Sequence, residues 1–331
     1  MTTAPVPLLD VEDLSVTFRT SSGLVQAVDR ISYVVRGGET VAVVGESGCG
    51  KSVSALALIG LVPSPPGEVS ATAIRFDGRD LLGLDAEALR EIRGRDIGMV
   101  FQEPMTSLNP LLKIRTQIVE TIETHLGLTA KQADARAVDL LRLVGISEPE
   151  RRLQQYPHHF SGGMRQRVMI AISLSCEPKL IIADEPTTAL DVTVQAQILE
   201  LMKDVTRRIG AALMLITHNL GVVARYADRV NVMYAGRIVE AATTREIFAA
   251  PLHPYTVGLL NSMPRLDVPR GSRLVPIEGQ PPDLARLDAG CAYRPRCRWA
   301  DGACRVSRPG LEAVRPEHRS ACFHAAALDA A

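Results

Sequence analysis

An open α/β fold built on a parallel sheet is what this 331-residue sequence predicts, and three observations carry the prediction. Aliphatic runs recur along the chain, stretches of helical periodicity lie between them, and a glycine-rich loop joins one such run to one such helix. Ile97–Phe101, Leu180–Ala183, Leu213–Thr217 and Val230–Tyr234 are near-continuously aliphatic, as strands covered on both faces of a parallel sheet must be. Leu8–Phe18, Ile31–Val35, Thr40–Val44 and Ala73–Phe76 also read as strands, the first ones with a period-two pattern that leaves one face partly wet. Ser52–Leu61, Met164–Cys176, Val194–Arg208 and Asn219–Tyr226 read as the intervening helices.

Composition agrees and excludes several classes. With 46% hydrophobic, 22% charged and 4% aromatic residues, the chain can bury a large aliphatic core and is neither disordered, collagenous nor a small disulfide scaffold. Lysine plus arginine and aspartate plus glutamate both number 37, so no whole-chain electrostatic case for nucleic acid exists, although a local basic patch is compatible with neutrality. No apolar run approaches the roughly 20 residues that span a bilayer. Met1–Asp10 lacks a basic segment followed by an apolar stretch, so no secretory signal is expected and the cytoplasm is the expected compartment. Structural disulfides are not expected there, which makes the six cysteines a question.

Two segments depart from the strand–helix alternation. Thr116–Tyr156 holds two helical stretches, Thr116–Leu126 and Ala130–Val144, and no strand; a helical subdomain inserted over about 106–160 is expected. After about residue 250, Pro251, Pro254, Pro264, Pro269, Pro276, Pro281 and Pro282 punctuate the chain. The expected division is therefore a main domain over 1–250 and a loop-rich extension over 251–331.

Gly45-Glu46-Ser47-Gly48-Cys49-Gly50-Lys51-Ser52 fits the pattern G-x-x-x-x-G-K-[ST] and lies between the strand Thr40–Val44 and the helix that begins at Ser52 and Val53. Its glycines let successive amides point inward around a phosphate, Lys51 reaches the β- and γ-phosphates, and Ser52 binds Mg²⁺. Leu180–Ala183 runs into Asp184 and Glu185: Asp184 is the second magnesium anchor, and Glu185 polarises the water that attacks the γ-phosphate. A plainer reading, two acids closing a strand before the turn at Pro186, loses force beside a phosphate loop.

Phe160-Ser161-Gly162-Gly163-Met164-Arg165-Gln166-Arg167 then resembles the signature sequence of the ATP-binding subunits of ABC transporters, with Ser161 as a helix N-cap and Gly162 and Gly163 allowing close approach. The resemblance spans about residues 8–325 and implies a P-loop NTPase fold: a RecA-like core, an antiparallel β subdomain and the inserted helical subdomain. It implies that Gln102 contacts Mg²⁺ and the attacking water and opens a loop, Met105–Leu112, facing membrane subunits. It implies that Ala189-Leu190-Asp191 crosses a dimer interface, that His218 contacts the γ-phosphate, and that the signature of one subunit completes the ATP site of another. Phe18 is the candidate to stack on adenine, at a longer spacing than in many relatives because Arg19–Val28 looks inserted; a strand-core role fits it nearly as well.

His253-Pro254-Tyr255-Thr256, Gly279-Gln280-Pro281-Pro282 and a cysteine-rich tail resemble the oligopeptide and dipeptide importer branch, which nickel importers share. Cys291-x5-Cys297-x6-Cys304-x17-Cys322 offers four thiolates for a four-iron four-sulfur cluster, which the resemblance favours, or for zinc, with plain thiols or disulfides as the remaining reading. Arg286, Arg294, Arg296, Arg298, Arg305, Arg308, Arg315 and Arg319 crowd the same tail, either neutralising such a cluster or contacting nucleic acid, the former preferred. Cys49 and Cys176 read as packing residues.

The resemblance thus implies an ATPase subunit, binding ATP and Mg²⁺, that energises uptake of di- or oligopeptides. The expected partners are a second homologous ATPase, identical or different, two transmembrane permeases and, indirectly, an extracytoplasmic binding protein, but no nucleic acid. Its expected place is the cytoplasmic face of the membrane, held peripherally. The alternatives are a soluble ABC ATPase acting on nucleic acid or ribosomes and, within transport, nickel as substrate. No guanine-reading Asn-Lys-x-Asp occurs, which sets a GTPase aside.

Overall fold

The structure is a computed structural model that describes residues 6–21, 23–188, 190–263 and 276–329. It divides into two compact units: one comprises Gly83–Ile216 with Val35–Glu39 and the N-terminal residues to Leu8, and the other comprises Leu9–Val34, Thr40–Leu82 and the chain from Thr217 onward. The strands of the described residues are β1 (Leu9–Thr20), β2 (Gly23–Val35), β3 (Thr40–Val44), β4 (Gly67–Ser70), β5 (Ala73–Phe76), β6 (Arg79–Asp80), β7 (Ile97–Val100), β8 (Leu180–Asp184), β9 (Ala212–Thr217), β10 (Arg229–Tyr234), β11 (Arg237–Thr243), β12 (Glu312–Arg315) and β13 (His318–Ser320).

In the first unit β7, β8 and β9 pair in parallel, with Ile97 opposite Leu180 and Leu180 opposite Ala212. All five residues of β8 are buried, the outcome that its unbroken aliphatic run demands. The helix Gly162–Ser173 packs on β7 at Gly98, where a Cβ would stand 2.3 Å from the Ser173 carbonyl oxygen. Only glycine permits that approach. The two helical stretches expected after residue 116 are the helices Ile114–Leu126 and Ala130–Leu143, which pack on each other and on Gly162–Ser173. Thr129 and Gln132 close a capping box at the head of the second, and Arg115 of the first reaches Asp134 of the second at 2.9 Å.

In the second unit β2, β1, β5 and β6 lie side by side, with β4 also paired to β1. Burial alternates along β1, matching its period-two sequence. Within Arg19–Val28, which reads as an insertion, Arg19 and Thr20 end β1 and Gly23–Val28 begin β2. A further set of strands begins with β3 parallel to β10; β11 then runs antiparallel to β10, β13 antiparallel to β11, and β12 antiparallel to β13. The prolines after residue 250 hide regular structure: Pro254 occupies the first turn of a helix, Pro254–Asn261, where its missing N–H costs nothing.

The core of this unit draws on both ends of the chain. Ala42 and Val44 of β3, Val230, Val232 and Tyr234 of β10, Tyr255, Tyr293 and Ala321 form one buried cluster. Tyr234, Tyr255 and Tyr293 meet in tilted and edge-on contacts at 4.6–5.5 Å between ring centres. Beside them the carboxylate of Glu240 in β11, wholly buried, accepts from the amides of Leu252 (2.6 Å) and His253 (3.1 Å) and lies 2.7 Å from Nε2 of the equally buried His318. The Ser320 hydroxyl donates to the Leu252 carbonyl at 2.8 Å. The C-terminal strands are thus tied by buried polar bonds to the hairpin of β10 and β11.

Candidate functional site

The phosphate loop follows β3 within the second unit. Gly45, Gly48 and Gly50 have φ of 158°, 79° and 99°, and the last two lie where side-chain-bearing residues are strained. A Cβ on Gly45 would stand 2.2 Å from the Met233 carbonyl oxygen, and one on Gly50 2.1 Å from that of Ala27, so the loop is pressed between β10 and β2. The helix Lys51–Leu58 that follows has no side-chain cap and no acid in its first turn. Its leading amides, together with those of the loop, form a concentrated donor field suited to a phosphate. Lys51 is buried and donates to the carbonyls of Gly45 (2.8 Å) and Glu46 (3.0 Å), arched over the loop it belongs to. Ser52 and Val53 are half-buried, whereas Ser47 and Gly48 are exposed.

Cys49 is buried and packs as expected; burial pushes its thiol up, with the Lys51 ammonium pulling the other way. Two contacts that the motif does not announce hold Glu46. Its amide donates to the Tyr255 hydroxyl at 2.8 Å, and its carboxylate receives both terminal nitrogens of Arg296 at 2.6 and 2.9 Å. Phe18 is half-buried in β1 opposite Gly67, with its ring edge 3.0 Å from where a Cβ on Gly67 would be. His218 is exposed just beyond β9, beside Asn219, which caps the helix Leu220–Tyr226.

The first unit carries the acids. Asp184 ends β8 and is buried. Glu185 sits in the left-handed region at φ 44°, its amide tied to the Ile216 carbonyl at 2.9 Å, so the chain turns sharply and releases the carboxylate from the sheet. That carboxylate accepts from Nε2 of Gln102 (3.2 Å) and from the Thr188 hydroxyl (3.0 Å), so Gln102 and Glu185 meet. Ser161 caps the helix Gly162–Ser173, accepting from the Met164 amide at 3.4 Å; the helix begins at Gly162, two residues before the sequence expectation. A Cβ on Gly163 would stand 2.8 Å from Val194, so this glycine brings two helices together. Asp191 caps the helix Val192–Ile209 through the Val194 amide at 2.9 Å, while Ala189 lies outside the described residues. Leu111, in the loop after Gln102, is 83% exposed and Leu112 37%.

Cys291, Cys297, Cys304 and Cys322 line one small apolar cavity with Tyr293, Phe323 and His324. Burial raises the thiols of Cys297 and Cys304 and pushes that of Cys322 up to about 11, so each would have to give up its proton to a metal. Among the described residues, the one group of three or more candidate ligands whose donor atoms all lie within 4.8 Å of each other is Asp301, Cys304 and His324. Neither Asp301 nor His324 was legible as a ligand, although His324 stands two positions after Cys322. Several tail arginines face carboxylates of the chain itself: Arg294 meets Asp288 (2.8 Å), Arg308 meets Asp29 (3.5 Å) and Arg315 meets Asp329; Arg298 instead stacks on Trp299 at 4.0 Å. Among the described residues no helix is long and apolar enough to cross a membrane.

Residues 28–188 match the ABC transporter family, and residues 239–304 match the oligopeptide/dipeptide transporter C-terminal region. A peptide import ATP-binding protein of Brucella abortus is 51% identical over 327 residues, covering 96% of this chain and 97% of that protein. The oligopeptide transport ATP-binding protein OppD of Bacillus subtilis is 53% identical over 293 residues, covering 88% of this chain and 82% of its own length. Among solved structures, the dimeric ATP-binding cassette MJ0796 in a post-hydrolysis state with ADP and phosphate superposes with a TM-score of 0.64 at 26% identity, over 72% of this chain and 99% of that one. CbiO1 of Clostridium perfringens, part of the ABC transporter complex cbiONQ, gives 0.62 at 28% identity, over 73% and 91%.

Proposed function

The chain belongs to the ABC transporter ATP-binding family, in the branch marked by the oligopeptide/dipeptide C-terminal region, and from that premise we propose that it hydrolyses ATP to drive import of di- or oligopeptides. The observation that carries the reading is the phosphate loop, whose glycine-shaped turn leads into a helix with neither cap nor acid in its first turn. Gly45–Val53 take the phosphates, with Lys51 moving from the carbonyls of its own loop to the β- and γ-oxygens. Ser52, Gln102 and Asp184 hold Mg²⁺. Glu185, held by Gln102 and Thr188, accepts the proton of the attacking water, and His218 contacts the γ-phosphate. Phe18 stacks on adenine, and Ser161, Gly162, Gly163 and Asp191 face the nucleotide of a second ATPase subunit.

Two permease subunits receive the stroke through the loop after Gln102, where exposed Leu111 and Leu112 provide an apolar contact, and an extracytoplasmic binding protein delivers the peptide to them. This places the chain peripherally on the cytoplasmic face of the membrane. Peptide rather than nickel is the substrate, in keeping with the relatives, and transport is preferred to a nucleic-acid or ribosome function because Arg308, Arg294 and Arg315 of the tail are engaged by Asp29, Asp288 and Asp329.

Cys291, Cys297, Cys304 and Cys322 would hold an iron–sulfur cluster, which would supply a rigid cross-link to the extension. Their convergence on one cavity fits such a group, and among the described residues no three thiols come within 4.8 Å of each other, whereas the sulfurs around a tetrahedral zinc stand about 3.8 Å apart. The decisive experiment for the transport reading is ATP-driven peptide uptake into vesicles carrying the permeases, the second ATPase and the binding protein. Glu185→Gln should bind ATP and abolish both hydrolysis and uptake; undiminished turnover in that variant refutes the assignment of the base.

A further inference from the structure

A carboxylate inside a phosphate loop is an electrostatic anomaly. The loop and the helix behind it gather amides and one ammonium for an anion, and Glu46, the second residue of the loop, adds a negative charge to the same spot. The C-terminal extension answers that charge. Arg296 lies 250 positions along the chain, its side chain is 4% exposed, and its two terminal nitrogens take both carboxylate oxygens of Glu46 at 2.6 and 2.9 Å. Its Nε donates to the Glu278 carbonyl at 3.0 Å, so the guanidinium is fixed from the extension's side before it meets the loop. Glu46 is held through its main chain as well, by the Tyr255 hydroxyl at its amide and by Lys51 at its carbonyl.

We propose that Arg296 is a positioning residue for nucleotide binding: it neutralises the Glu46 carboxylate and holds it aside, so that the phosphates of ATP meet the loop amides and Lys51 without an opposing acid. The extension thereby forms part of the ATP site of its own chain, and Cys297, the neighbour of Arg296, connects that function to whatever the four cysteines hold. The proposal rests on the reading of Gly45–Ser52 as the ATP phosphate loop.

Binding of Mg·ATP to the purified full chain, by isothermal titration, tests it alongside the melting midpoint. Arg296→Met should weaken binding about tenfold, because it leaves a charged, uncompensated acid in the loop. Adding Glu46→Gln to that variant should restore affinity to within about threefold of wild type, since the orphaned charge is gone. Glu46→Gln alone, which leaves the loop facing a cation that no longer has its carboxylate, should bind ATP at least as tightly as wild type. Arg296→Met that binds normally while melting early makes the pair a structural strut only and overturns the proposal. So does a double variant no better than Arg296→Met, or weakened binding by Glu46→Gln alone. A wild-type chain that binds no ATP overturns the ATPase reading itself, an outcome distinct from wild-type binding with Arg296→Met unaltered.

Discussion

Replacing Glu240 by glutamine is the sharpest probe of how the extension is held. The wild-type carboxylate serves three donors in a fully buried setting: Leu252 N–H and His318 Nε2 at one oxygen, His253 N–H at the other. Glutamine keeps the size but has one carbonyl oxygen and one NH₂ group, so whichever way it turns, a donor confronts a donor. In the better orientation the NH₂ faces the His253 amide, and one buried N–H loses its partner at about 1–3 kcal/mol. The Leu252 and His318 contacts survive but lose charge assistance, which is roughly half of their strength. Together these give a loss of about 3 kcal/mol. For a domain of this size that lowers the melting temperature by about 6–12 °C, readable by calorimetry. Amide exchange at Arg319 and Ser320, which pair with β11 beside Glu240, should accelerate in parallel. A variant that melts within about 1 °C of wild type with unchanged exchange would refute the reasoning.

Two further outcomes follow from the same unit. His253 is buried and caps the helix Pro254–Asn261 through its Nδ1, and burial holds its imidazole down at about 3. Between that value and the ordinary 6.5 the unfolded chain binds more protons than the folded one, so stability falls as pH drops below about 6.5, by about 2 kcal/mol at pH 5. His253→Asn keeps a capping oxygen and removes the titration, so urea unfolding at pH 7 and pH 5 should show a smaller difference than in wild type; an equal difference would rule out His253 as the cause. For the cysteines, anaerobically purified protein should be coloured by sulfur-to-iron absorption, and Cys297→Ser should remove the colour while His324→Ala retains it. A colourless protein with one zinc per chain, lost in His324→Ala and kept in Cys297→Ser, would assign the metal to Asp301, Cys304 and His324 instead.

Much of this was readable in the sequence because the readable parts are local. Gly45–Ser52, the acids ending β8 and the cap at Ser161 are short patterns whose chemistry and backbone geometry share the same few residues, and the structure shows the turn, the strand end and the cap. The Gln102–Glu185 bond spans 83 positions; from the sequence each residue is assigned to the attacking water without the two being paired. What escaped notice was non-local. Nothing near Glu46 announces that Tyr255 and Arg296 hold it, since their partnership exists only once the extension has packed. Likewise the prolines after residue 250 suppress helical periodicity, so the helix at Pro254 and the strands β12 and β13 carry no pattern of their own; Tyr293 and Ala321 show their purpose only as members of a core begun at β3.

Gly98 has a mechanical consequence. With no side chain between β7 and the Ser173 carbonyl, strand and helix touch backbone to backbone, and there is no compliant layer to absorb sliding. The strand runs toward Gln102 and the helix starts from Ser161, so this contact joins the two elements that carry those residues. A side chain introduced at residue 98 would act as a shim, forcing apart the strand that leads to Gln102 and the helix that follows Ser161.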